Sequence, residues 1–260
     1  MERKAYAKLN IFLKIVGLRD NYHELVSRFI LYKEIYDIIT FEEGEFERFE
    51  IVGTPEIRRE ENIIYKAFCA LNSYTHNPKI IDFFFSHRVK ITKNIPSGAG
   101  LGGGSSDAAI FMHMVNDALG LGLSKDELAK IGANIGADVP FFVYGYEAAN
   151  VRGIGEKIEP FEDTIPKLTL KISNSHCNTA KVYQTYRSEC MESFAIGLAN
   201  RLASMTAEKI LDTIEPIKAN DLYCAAMRLC PELAQYSDTW YLSGSGSTLF
   251  RRADESCSNK

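Results

Sequence analysis

The sequence predicts an α+β protein built on a largely antiparallel sheet. Two observations carry this. Runs with period-two alternation, or rich in Ile, Tyr and Phe, come before any long helical pattern. A glycine-rich stretch then joins the last of these runs to a strongly apolar helical pattern. Farther along, Arg152-Gly153-Ile154-Gly155-Glu156 is a glycine-punctuated connection and the candidate boundary between two domains, 1–150 and 151–260.

In the first segment, Ala5, Ala7, Leu9, Ile11, Leu13 and Ile15 point one way and Lys4, Tyr6, Lys8, Asn10, Phe12 and Lys14 the other, as in a half-buried strand. Lys8 and Asn10 then share the non-core face roughly 7 Å apart, either solvated or serving one ligand. Gly17-Leu18-Arg19-Asp20-Asn21-Tyr22-His23-Glu24-Leu25 reads as a turn with a ring and an imidazole side by side, each of which also has an ordinary structural reading. Residues 25–40 and 46–52 read as strands, 61–72 as a helix, and 81–92 as a strand that delivers the chain to the glycines.

That stretch is Pro96-Ser97-Gly98-Ala99-Gly100-Leu101-Gly102-Gly103-Gly104-Ser105-Ser106-Asp107. Its glycines let backbone approach a ligand and let successive N–H groups turn inward on an anion. Ala108, Phe111, Met112, Val115, Ala118 and Leu119 follow at helical spacing, with Ser105, Ser106 or Asp107 as N-cap and Gly120 as a left-handed stop. A loop feeding a helix N-terminus suits a phosphate, and a triphosphate above all. Gly98 to Gly103 matches the dinucleotide pattern G-x-G-x-x-G, but Lys93-Asn94-Ile95-Pro96-Ser97 separates it from the preceding strand. No Gly-Lys-Ser/Thr of a Walker loop follows, and the protein-kinase signatures are absent. A flexible Gly/Ser linker does not fit between a strand and an apolar helix.

Ser124-Lys125-Asp126-Glu127 is a capping box that opens a helix carrying Leu128, Ile131 and Ile135 and ending near Gly136. Gly136-Ala137-Asp138-Val139-Pro140-Phe141-Phe142 puts Asp138 in a tight connection, where a carboxylate caps or turns the chain as readily as it does chemistry. Residues 167–173 read as a strand, 179–186 as a helix capped by Thr179, and 206–214 and 221–229 as two more helices. Trp240-Tyr241-Leu242 and Thr248-Leu249-Phe250 flank Ser243-Gly244-Ser245-Gly246-Ser247, either an ordinary hairpin or a second loop that approaches the first. The tail, 253–260, is polar and reads as frayed.

The 260 residues suit one large or two modest domains, and the hydrophobic fraction of 46% is that of an ordinary globular protein. Lys and Arg number 30 against 34 Asp and Glu, without a basic block, so no nucleic-acid partner is expected. No apolar run of about 18 residues exists, and Met1-Glu2-Arg3-Lys4 leads into a segment too polar for a signal peptide. The expectation is a cytoplasmic protein with no membrane partner. Six scattered cysteines show no C-x-x-C and no zinc spacing, and read as reduced small hydrophobes with no metal site.

Three separated segments together resemble motifs 1, 2 and 3 of the GHMP kinases, the superfamily of galactokinase, homoserine kinase and mevalonate kinase. They are Ala7-Lys8-Leu9-Asn10, the stretch from Pro96 to Ser106, and Ser243-Gly244-Ser245-Gly246-Ser247. With the Asn21-Tyr22-His23-Glu24-Leu25 turn, the Asp138 segment, residues 152–156 and Ala219-Asn220-Asp221-Leu222, the likeness is strongest to the branch acting on 4-diphosphocytidyl-2-C-methyl-D-erythritol in non-mevalonate isoprenoid synthesis. The resemblance implies a two-domain α+β fold with the active site in the inter-domain cleft. It implies phosphorylation of that substrate's C2 hydroxyl by ATP, with Mg2+ carried on the nucleotide. A kinase for another small alcohol, such as homoserine or mevalonate, is the alternative.

By the same resemblance Lys8 and Asp138 are the catalytic pair. Pro96, Ser97, Gly98, Ala99, Gly100, Leu101, Gly102, Gly103, Gly104, Ser105 and Ser106 cradle ATP, braced by the 243–247 loop. Tyr22 and His23 contact the cytosine, Asn10 the erythritol end, and Thr179 and Tyr183 another wall of the substrate site. Lys93 lies toward the adenine. Asp107 departs from the Asn often found there in the family, and is expected to cap the helix facing away from the nucleotide. Tyr183 stands where Phe is common.

Overall fold

A computed structural model describes residues 1–173 and 177–253; residues 254–260, with Cys257 and nearly all of the polar tail, lie outside the described residues. The chain forms two compact units. The first comprises Met1–Lys8, Leu31–Pro96 and Gly102–Tyr146; the second comprises Leu9–Ile30, Ser97–Leu101 and the described residues from Glu147 onward. The last crossing falls near residue 150, but two earlier segments also belong to the second unit. The reason is strand length: β1 (Glu2–Arg19) and β2 (Tyr22–Glu43) run 18 and 22 residues and so contribute to both, against a usual strand of about 5–6.

Every residue from 7 to 15 on β1 is buried, so the strand is half-buried only at its start. Lys8 and Asn10 are 3% and 1% exposed, which removes the solvated reading of both. The expected turn at 17–25 narrows to Asp20 and Asn21, with Asp20 in the left-handed region at φ 55°.

In the first unit, residues 38–43 of β2 pair antiparallel with β4 (His87–Thr92), which pairs in parallel with the short β3 (Ile51–Val52). The strand expected over 46–52 shrinks to those two residues because Phe49 turns into the core, stacked on Phe68 at 4.2 Å and edge-on to Phe84 at 4.7 Å. α1 (Ile63–Thr75) is capped by Asn62, whose Oδ1 accepts from the Ile64 N–H. The strand expected over 81–92 starts as helix and turn: α2 (Lys79–Phe83) starts at Asn77-Pro78, and only residues 87–92 extend.

α3 (Gly103–Leu119) starts from Gly102 at φ 70°, so Ser105, Ser106 and Asp107 lie inside the helix and none of them caps it. Gly120 closes it in the left-handed region, as read. α4 (Lys125–Ala133) has the Ser124/Glu127 capping box, and the apolar run after Asp138 is a buried helix, α5 (Val139–Tyr144), with Pro140 in its first turn.

In the second unit the glycine-punctuated connection at 152–156, the candidate domain boundary, is the turn of a hairpin. β5 (Ala148–Gly153) and β6 (Lys157–Pro160) pair antiparallel, and Glu156 turns the chain by accepting from the Ile154 N–H at 2.6 Å. β5 also pairs with residues 25–30 of β2. β7 (Leu168–Lys171) is followed by α6 (Thr179–Thr185), α7 (Ile196–Ala203), α8 (Ala207–Thr213), α9 (Pro216–Ala219) and α10 (Tyr223–Leu229). β8 (Tyr241–Leu242) and β9 (Leu249–Arg252) complete a three-stranded sheet of order β7-β9-β8. Asn178, not Thr179, caps α6, accepting from the Lys181 N–H at 3.0 Å.

A buried ion-pair cluster and a disulfide hold this unit together. Arg28, fully buried, reaches Asp163, the Asn150 carboxamide and the carbonyls of Ala203 and Met205, while its guanidinium lies 3.4 Å from the Phe161 ring centroid. Against the expectation of reduced cysteines, Cys190 and Cys224 form a disulfide. Cys177 and Cys230 are buried with sulfurs 2.7 Å apart. Spacing could not reveal either pair, because the partners stand 34 and 53 residues apart, Cys190 after α6 and Cys177 before it, Cys224 in α10 and Cys230 just past its end.

Candidate active site

In the first unit the Lys8 ammonium lies 3.4 Å from Asp138 Oδ2. The lysine is buried, since β1 is covered on both faces there, and the carboxylate is 29% exposed. Asp138 stands at the N-cap position of α5, yet its side chain makes no capping bond, so the capping reading of this residue does not hold. The start of α3 packs on Lys8 and on the segment that carries Asp138. A Cβ on Gly102 would come within 3.1 Å of Lys8 Cγ and 3.0 Å of the Phe142 ring, and one on Gly136 within 3.6 Å of Ser105 Oγ. A buried ammonium, a partly exposed carboxylate and the uncapped, electropositive end of a 17-residue helix therefore occupy one place. Such a group can hold a polyanion and accept a proton beside it.

The glycines serve the protein's own packing as much as any ligand. At Gly103, whose φ is ordinary, an added Cβ would meet Ile95 at 2.8 Å. At Gly100, where φ is +76°, it would meet the Ser243 carbonyl at 2.2 Å.

In the second unit the 243–247 loop braces residues 97–101, in agreement with the second-loop reading. Ser243 Oγ donates to the Gly100 carbonyl at 3.0 Å, the Thr248 N–H donates to Ala99 O at 3.1 Å, and Ser243 Oγ accepts from the Asn10 N–H at 3.2 Å. Asn220 donates from its carboxamide to both Leu242 O and Gly244 O at 2.8 Å. Gly100→Ala combines this overlap with a left-handed strain of about 1–2 kcal/mol. The expected result is a Tm lowered by roughly 2–4 °C for each kcal/mol lost, read by thermal denaturation.

His23 packs against Tyr183 with ring centroids 5.1 Å apart, and against Tyr186 at 5.9 Å. Its Nε2 is buried without a hydrogen-bond partner among the described residues. Burial, and then the nearby Arg187, hold the imidazole pKa below its ordinary value, so the ring is neutral at pH 7 with one donor and one acceptor nitrogen. Tyr22 is 63% exposed and, as the preceding residue on β2, points to the opposite face. Thr179 Oγ1 and Ser245 Oγ are 2.9 Å apart, and Asn10 Nδ2 donates to Ser27 Oγ at 3.0 Å.

Residues 62–146 match the model of the GHMP kinases N terminal domain. Over 252 residues the chain is 48% identical to the 4-diphosphocytidyl-2-C-methyl-D-erythritol kinase of Sulfurovum sp. (strain NBC37-1), covering 96% of this chain and 98% of that one. The chain belongs to the 4-diphosphocytidyl-2-C-methyl-D-erythritol kinase family. The family member from Sulfurimonas denitrificans is 45% identical, with 95% of each chain covered. A crystal structure of 4-(cytidine 5'-diphospho)-2C-methyl-D-erythritol kinase superposes with a TM-score of 0.73 at 29% identity, over 98% of this chain and 90% of that one. The mixed α+β fold is thus that of the family.

Sequence reading passed over four residues of this family member. Ser243 and Asn220 lay inside quoted motifs but carried no role, because their partners are backbone carbonyls. Tyr186 had its signal in a helical spacing of three from Tyr183. Asp37, buried on β2, had no signal at all.

Proposed function

We propose that this protein is an ATP-dependent kinase that phosphorylates the C2 hydroxyl of 4-diphosphocytidyl-2-C-methyl-D-erythritol. Identity of 48% to a relative of that name over nearly the full length of both chains carries the reading. In the proposed site, residues 96–106 hold the triphosphate through inward N–H groups and the start of α3. Asp138 takes the proton of the attacking hydroxyl, and Lys8, 3.4 Å away, orients that carboxylate and offsets charge on the transferred group. Phosphoryl transfer depends chiefly on positioning and electrostatics, which this pair and the helix terminus supply.

The loop offers N–H groups and hydroxyls rather than a cage of carboxylates, a donor set that suits magnesium carried on the phosphates. Bound there, Mg2+ neutralises charge on the phosphate oxygens. Asn10, Tyr22, His23, Thr179 and Tyr183 make up the substrate side. What supports His23 is its orphaned, buried Nε2 beside the Tyr183 ring, a hydrogen-bonding edge next to an aromatic face. His23→Ala is expected to raise the KM of the cytidyl substrate about tenfold, the worth of one hydrogen bond near 1.5 kcal/mol, and to leave the ATP KM within twofold. Equal rises in both would remove the cytosine role.

A further inference from the structure

Asp37 is fully buried and engages the segment that leads into the glycine loop. Its Oδ1 accepts from the Asn94 N–H at 2.5 Å and the Ile95 N–H at 2.8 Å, and its Oδ2 pairs with the Lys93 ammonium. The same ammonium bonds Asp107 Oδ2 at 2.8 Å. Asp107 sits in the second turn of α3, so the Lys93–Asp107 contact closes residues 94–106 at their base. The cluster also touches the helix start, where a Cβ on Gly103 would lie 3.4 Å from Asp37 Oδ2. Asp107 is thus inside the helix rather than its cap, and the Lys93 ammonium, expected toward the adenine, is bonded to Asp37 and Asp107.

We propose that Asp37, Lys93 and Asp107 are positioning residues that clamp both ends of the phosphate-binding loop and thereby set ATP affinity. This rests on the reading that residues 96–106 hold ATP. Two buried carboxylates share one ammonium, so the cluster carries a net negative charge unless one carboxyl keeps its proton. Asp107 is that carboxyl: its Oδ1 is buried with no hydrogen-bond partner among the described residues. Burial above all, with Asp37 adding and Lys93 opposing, pushes its pKa from 3.8 up to about 7. Lys93, from the segment after β4, and Asp37, from β2, are the charged groups acting on it.

With Asp107 protonated the clamp is neutral. As pH rises through about 7 it gains a negative charge beneath a loop that receives a polyanion, and ATP binding weakens. Stability follows the same sign. A carboxyl whose folded-state pKa is raised holds an extra proton between its ordinary value of 3.8 and about 7, so its contribution to stability falls as pH rises across that window.

The test is ATP binding by titration calorimetry from pH 6 to 9, without the alcohol substrate, for the wild type, Asp107→Asn and Asp37→Asn. Dividing the wild-type Kd by that of Asp107→Asn cancels the nucleotide's own titration. The expected ratio is near one at pH 6 and rises to at least threefold at pH 9. Asp37→Asn should weaken ATP binding at least tenfold at pH 7 while the cytidyl substrate's KM stays within twofold. Superimposable pH profiles together with wild-type ATP affinity in Asp37→Asn would overturn the clamp while leaving the nucleotide site intact. Absence of ATP binding by the wild type at every pH would overturn both. Should Asp37→Asn not fold, the Asp107→Asn ratio decides alone.

Discussion

Asp138→Asn is expected to lower kcat by about 10²–10⁴-fold, the contribution of a well-placed general base, while ATP binding stays within a few-fold of wild type. The side chain keeps its volume and its oxygen beside Lys8, but in the proposed role an amide could not take a proton from the attacking hydroxyl. Asp138 makes no capping bond at the start of α5, so the substitution removes no helix cap. A single-turnover measurement with saturating ATP and substrate reads the chemical step directly. Wild-type turnover would mean that the 3.4 Å Lys8–Asp138 pair is a structural contact.

The largest stability effect is expected at Asp163. Arg28 and Asp163 are both fully buried, and the guanidinium is further satisfied by Asn150, Ala203 and Met205. Asp163→Ala leaves a buried charge without its counter-charge, at a cost of about 3–5 kcal/mol, which lowers Tm by roughly 10 °C or more. It also frees the Ala207 N–H, now bonded to Asp163 Oδ1 at 2.6 Å. Replacing both members with apolar residues, Arg28→Met with Asp163→Leu, should recover much of the loss. Thermal denaturation of the three variants checks this. A double variant no more stable than Asp163→Ala would show that the Arg28 hydrogen bonds, rather than the ion pair, hold the second unit.

Local rules account for what the chain made legible. The capping box at Ser124, the left-handed stop at Gly120 and the helical face of Phe111, Met112 and Val115 follow from contacts a few residues apart, and all three are present. Each misreading has a physical cause. Phe49 ends its strand because Phe68 and Phe84 draw its ring inward. The strand expected over 81–92 starts as helix, because Asn77-Pro78 opens α2 ahead of it. The disulfide joins cysteines brought together only by packing. In the candidate site, residue types at single positions were readable, whereas the shared ammonium of Asp37 and Asp107 depends on three segments meeting.

The most direct measurement is ADP release by the purified protein with Mg2+ and ATP, offering 4-diphosphocytidyl-2-C-methyl-D-erythritol against mevalonate, homoserine and galactose. Turnover confined to the cytidyl substrate, with phosphate on its C2 oxygen, is the predicted result. Preferred turnover of another alcohol, or none with any of the four, would contradict it.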